Sequence, residues 1–139
     1  MEINLMKKLS LYLFSIFYGI AGVFHFIFPE VYHTVIPSYL PYPSAINYIS
    51  GTLEILVAVL IWIPLPLQSR INTSLLQSRK LASQITIIML VAFIPAHIYF
   101  IQNEGCAGSF CLPNWIGWLR LVIIHPFLIY WAYKIRTIK

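Results

Sequence analysis

Residues 81–101 read LASQITIIMLVAFIPAHIYFI, and this stretch decides the fold. It contains no Asp, Glu, Lys or Arg. As an α-helix rising 1.5 Å per residue it is about 30 Å long, the thickness of a bilayer's hydrocarbon core. Three further apolar runs reach spanning length, roughly residues 10–28, 48–65 and 115–133. The chain is 60% hydrophobic and 9% charged, with a mean hydropathy of +0.81. A soluble domain of 139 residues needs a polar shell, and nine Lys and Arg with four Asp and Glu do not supply one. The expected fold is therefore all-α, a bundle of four transmembrane helices. With short connectors it forms a single integral membrane domain over residues 1–139.

The net charge of +5 is distributed along the chain in a way that argues for a membrane and against nucleic acid. Lys7 and Lys8 precede the first run, Arg70, Arg79 and Lys80 separate the second from the third, and Lys134, Arg136 and Lys139 follow the fourth. The other two connectors, 29–47 and 102–114, carry no Lys or Arg. This positive-inside pattern predicts cytoplasmic termini, with those two connectors facing outward. The basic residues are expected to meet anionic lipid headgroups. The Lys-Lys pair raises the question of a cleaved signal. However, the first run is longer than a signal core and no small-x-small site precedes a polar start, so a retained helix is expected.

Ionisable residues interrupt three of the runs in one layer. Glu54, His97 and Arg120 fall about 6 to 10 Å below the outward face on helical rise. Such residues are costly at that depth and mark functional sites or buried partners. Glu54 is expected to hydrogen-bond with Arg120 or His97 across the bundle, since an unpaired carboxylate there costs several kcal/mol or takes up a proton. In the first run Tyr18, Gly22 and His25 share a helical face, and in the second Ser50, Gly51, Glu54 and Ala58 do so. Small residues on such faces let helices approach closely. Pro95 frees the carbonyl of Val91 and is expected to kink the third helix. Arg120 and His125 are five residues apart, about 140° around an α-helix, so they face one pocket only if Pro126 distorts the helix between them.

The first outward connector, P-E-V-Y-H-T-V-I-P-S-Y-L-P-Y-P (29–43), is too apolar for a solvated loop, and its prolines prevent a long helix. Its tyrosines, Tyr32, Tyr39 and Tyr42, suit the membrane interface, and the segment is placed to cover the bundle's outer mouth. The inner connector, 68–80, reads as a plain cytoplasmic turn. In the second outward connector Cys106 and Cys111 flank a Gly-containing turn on the oxidising side, and a disulfide is expected.

The segments H-F-I-F-P-E-V-Y (25–32), I-P-S-Y-L-P (36–41), S-G-T-L-E-I-L-V (50–57), F-I-P-A-H-I-Y (93–99) and W-L-R-L (118–121) together resemble the DoxX-like family of small four-helix membrane proteins. The resemblance covers about residues 18–133. It implies a four-helix bundle in the cytoplasmic (inner) membrane of a prokaryote, in a family named for a subunit associated with a quinol oxidase or thiosulfate:quinone oxidoreductase.

From the residues and the resemblance, the expected function is a small oxidoreductase component binding a quinone or similar lipid-soluble ligand in an outward-facing polar pocket. Glu54, His97 and Arg120 are the expected catalytic residues: a carboxylate to accept a proton, an imidazole to pass one, and a guanidinium fork to hold a carbonyl or anionic oxygen. Tyr18, His25, Tyr39 and Trp118 are the expected ligand-binding residues. Membrane lipid and a redox partner subunit are the expected partners. Two other readings stay open. One is a non-enzymatic scaffold or assembly factor, with Glu54 and Arg120 as a structural ion pair. The other is a metal- or small-molecule-handling protein, since His25, Glu54 and His97 have the chemistry of a two-His, one-carboxylate site. No metal ligands are assigned, and haem ranks behind quinone as a cofactor.

Overall fold

A computed structural model describes residues 2–63 and 71–138, with side chains from 5–63 and 75–138. The chain forms α1 (Glu2–Ile27), the short α2 (Pro29–Val35), α3 (Pro43–Leu60), α4 (Ile71–Gln102), a hairpin of β1 (Cys106–Ala107) and β2 (Phe110–Cys111), and α5 (Asn114–Ile135). Four of these helices, α1, α3, α4 and α5, are long and apolar enough to cross a membrane. The fold is that of a multi-pass membrane protein. Many large apolar side chains point outward, among them Ile16, Ile20, Ile88, Val91, Val122 and Phe127. In water that surface would be a liability; in hydrocarbon it is the required one.

Four helix limits differ from the sequence reading, one of them the end of α3 at Leu60 rather than near Leu65. α3 begins at Pro43 rather than near Tyr48, because proline at the first helical position costs no hydrogen bond and its φ is already helical. That shift brings Asn47 into the helix. α4 begins at Ile71, so most of the supposed turn is helical; residues 71–80 contain neither Gly nor Pro to stop it. α1 runs from Glu2 for the same reason. Pro95 lies inside α4 without ending it. Pro64 and Pro66, expected to close the second span, and Arg70 and Lys139 lie outside the described residues.

α1 packs along α3, α3 against α4, and α4 against α5. The core fills the half of the bundle nearer the termini, with Leu11, Phe14, Val57, Ile61, Met89, Ala132 and Ile135 buried together. There α5 closes onto α1: Trp131 Nε1 donates to Ser10 Oγ at 2.8 Å, and its ring meets Phe14 edge-on at 5.3 Å. Arg79 braces the same end. Its Nε donates to the Ile61 carbonyl at 3.2 Å and its Nη1 to the Ile138 carbonyl at 3.1 Å. Those oxygens follow the last turns of α3 and α5, where carbonyls lack helical partners.

The opposite half is not filled by side chains. There α1 and α3 stay together while α4 and α5 form a separate wall, and a cavity of about 630 Å³ opens between the two. α2 and the hairpin contribute to its lining. Cys106 and Cys111 face each other across the hairpin and are joined as a disulfide.

Candidate functional site

The closeness of α1 and α3 builds the first wall. Gly22 and Gly51 sit at their crossing. A Cβ on Gly22 would stand 2.7 Å from the Gly51 carbonyl oxygen, and one on Gly51 would stand 2.6 Å from the His25 Cβ. No larger residue fits either position without moving a backbone. The approach puts His25 of α1 beside Asn47 and Glu54 of α3. Asn47 Nδ2 donates to the His25 carbonyl at 2.9 Å, which sits in the last turn of α1 where helical partners run out. The Asn47 oxygen lies 2.7 Å from His25 Nδ1. An amide oxygen only accepts, so Nδ1 carries the hydrogen. The other ring nitrogen, Nε2, faces Glu54 Oε2 at 3.5 Å, within ion-pair range but beyond a well-made hydrogen bond. Tyr32 of α2 stacks on the imidazole, with ring centroids 3.7 Å apart.

Two oxygens on this wall are left over. Among the described residues, Tyr18 Oη and Glu54 Oε2 have no hydrogen-bond partner. Tyr18 is 2% and Glu54 6% exposed, and both line the cavity. Buried polar atoms without partners are rare because each costs on the order of 1–3 kcal/mol, so they mark a place where something polar binds.

The facing wall comes from α4 and α5, and its form depends on a local departure from α-helix. Residues Arg120–Ile124 form a π-helical turn within α5, and the His125 N–H bonds to the Arg120 carbonyl, five residues back. Pro126 has no N–H to offer the Val122 carbonyl, so the α-helical ladder is already broken there. In a π-turn, residues five apart face the same way. Arg120 and His125 therefore both line the cavity. His125 Nε2 donates to the Leu90 carbonyl at 2.6 Å, and His97 meets the His125 ring edge-on at 4.9 Å. The Arg120 guanidinium lies over the Phe100 ring, 5.7 Å from its centroid. Tyr32 lies between the walls. Burial, and after it the Glu54 carboxylate, push its phenol above the ordinary tyrosine range, while Arg120 pulls it back. The hydroxyl is held in its neutral, donating form.

The rest of the lining is apolar, including Phe17, Ala21, Leu90, Phe93, Ile124 and Leu128, with Ala107 and Phe110 from the hairpin. The whole is a pocket of ligand size, apolar with a few convergent polar groups.

A model of the family described as a domain of unknown function (DUF8561) matches residues 14–136. The chain belongs to this family. No curated protein and no solved structure matches it. The match takes in both walls of this DUF8561 chain's cavity, from Phe14 to Arg136.

The sequence-derived residues divide accordingly. Tyr18, His25, Glu54, His97 and Arg120 line one cavity. Tyr39 and Trp118 do not: they are 72% and 54% exposed and lie outside the lining. In a lipid-facing position such aromatics need no ligand. The expected direct bond from Glu54 to Arg120 or His97 is also absent among the described residues, where the ion-pair contact of Glu54 is with His25. The cavity separates the walls that carry them. His97 pairs with His125 instead, so His25, Glu54 and His97 do not converge. No group of three metal-ligating side chains does so among the described residues. Asn47, Tyr32 and His125 were not among the expected site residues. For Asn47 a signal was available: it lies seven residues before Glu54, on the same helical face.

Proposed function

We propose that this chain is a small membrane oxidoreductase component that takes a quinone, or a similar lipid-soluble ligand carrying carbonyl oxygens, into the cavity between its two walls. The observation that carries this reading is the pair of buried oxygens without a hydrogen-bond partner, Tyr18 Oη and Glu54 Oε2, on the wall of an otherwise apolar pocket. A quinone ring has flat apolar faces and an oxygen at either end. One oxygen accepts from the Tyr18 hydroxyl and exchanges a proton with Glu54. The other faces Arg120, whose guanidinium offers several donors. His97 and His125 stand beside Arg120, and Tyr32 adds a neutral hydroxyl donor from α2. The apolar lining suits the ring and the head of its tail.

The resemblance to DoxX-like proteins supports the same reading, and with it a place in the cytoplasmic (inner) membrane of a prokaryote and a redox partner subunit to exchange electrons. The basic residues at the terminal end, Lys7, Lys8, Arg79, Lys80, Lys134 and Arg136, orient both termini to the cytoplasm among anionic headgroups, so that the cavity half lies outward.

The test is mass spectrometry of organic extracts of the protein purified from its native membrane, with added short-tailed ubiquinone as the binding probe. Wild type is expected to retain quinone or to bind the probe saturably, and Glu54→Gln to lose at least about tenfold in affinity. A wild-type protein that retains no quinone and does not bind the probe overturns the reading.

A further inference from the structure

We infer that Asn47, His25 and Glu54 form a proton relay on the cavity wall, in which Asn47 is the positioning residue that fixes the tautomer of His25. The ligand assignment above supplies its use, but the relay itself rests on hydrogen-bond geometry.

A neutral imidazole has one N–H and one lone pair, and its partners decide which nitrogen has which. The Asn47 amide cannot turn over freely, because its Nδ2 is committed to the His25 carbonyl at 2.9 Å. Its oxygen therefore faces Nδ1 at 2.7 Å and demands a hydrogen there. Nε2 is left with the lone pair, directed at Glu54 Oε2 3.5 Å away. Two acceptors facing each other repel, so the favoured state has one proton between them, carried by the carboxyl. This also explains why Glu54 Oε2 has no other partner.

The step moves a proton and no electrons. The O–H bond of Glu54 breaks, an N–H bond forms at His25 Nε2, and a carboxylate faces an imidazolium whose Nδ1–H stays on Asn47. The imidazolium, or Glu54 itself, passes the proton to a basic oxygen of a reduced ligand, and the pair refills from water. The 3.5 Å gap shortens for transfer, as catalytic hydrogen bonds do when a site fills. Tyr32, stacked on the ring, holds its plane.

The test uses nitrogen NMR of the full-length protein labelled at histidine, with infrared detection of the Glu54 carboxyl stretch assigned by Glu54→Gln, without added quinone. In wild type His25 is expected as the neutral Nδ1–H tautomer and Glu54 as the protonated acid. Asn47→Ala is expected to shift His25 toward the Nε2–H tautomer with loss of the acid band. Asn47→Asp, which keeps an acceptor at Nδ1, is expected to restore both. A wild-type His25 in the Nε2–H form, or a tautomer unmoved by a folded Asn47→Ala, overturns the relay. If Asn47→Ala does not fold, the wild-type tautomer and the Asn47→Asp spectrum decide it. Quinone retention on the same samples separates the two readings: no quinone with the expected tautomer sinks the ligand assignment alone, and bound quinone with the wrong tautomer sinks the relay alone.

Discussion

Gly51 of α3 lies so close to His25 of α1 that a Cβ on it would stand 2.6 Å from the histidine's own Cβ. The site is thus built on a helix crossing that only glycine permits. Gly51→Ala is expected to push the helices apart, costing about 1–3 kcal/mol as overpacking does, and to separate His25 from Glu54. Gly19→Ala is the control, since its Cβ would meet Ala58 Cβ at an ordinary 3.6 Å. Unfolding of both variants in detergent checks this. Equal losses would show that the crossing does not set the stability.

The π-turn gives a second prediction. Pro126→Ala gives residue 126 an N–H for the Val122 carbonyl and is expected to return the segment to α-helix, setting Arg120 and His125 about 140° apart. Helix content by circular dichroism is expected to hold, and binding of short-tailed ubiquinone to fall at least about tenfold. A Pro126→Ala variant that binds as well as wild type would show that the two residues need not share the cavity.

Tyr32 supplies a pH prediction. Its phenol is raised in the folded state by burial and by Glu54, and the neutral form is the one the fold favours. The stability it contributes is present below the unfolded tyrosine value of about 10 and is lost as pH rises through the higher folded value. Alkaline titration of tyrosinate absorbance, wild type minus Tyr32→Phe, is expected to show Tyr32 ionising after the exposed tyrosines. Ionisation together with them would contradict the buried placement.

The Cys106–Cys111 disulfide closes a short hairpin bordered by cavity-lining residues. By loop entropy it contributes about 2 kcal/mol. Thiol labelling under denaturing, non-reducing conditions is expected to find neither cysteine free. Cys106→Ser with Cys111→Ser is expected to lower the melting temperature and loosen ligand binding. An unchanged melting temperature would mean that the hairpin is held by its other contacts.

The sequence by itself determined the spans, because about 30 Å of uncharged helix has only one stable environment, and it marked the ionisable residues because they are costly inside that environment. The close faces of α1 and α3 were legible too, since glycine at helical spacing has a steric meaning independent of context. Pairing was not. Glu54 looked like a partner for Arg120 because opposite charges attract. Which helices approach is decided by packing: Gly22 and Gly51 give Glu54 to His25, and the cavity keeps Arg120 on the other wall. The orientation of His125 was a conditional matter in the sequence, since Pro126 permits a π-turn without requiring one. Only the tertiary structure resolved it, where the Leu90 carbonyl of α4 accepts from the histidine that the π-turn swings round.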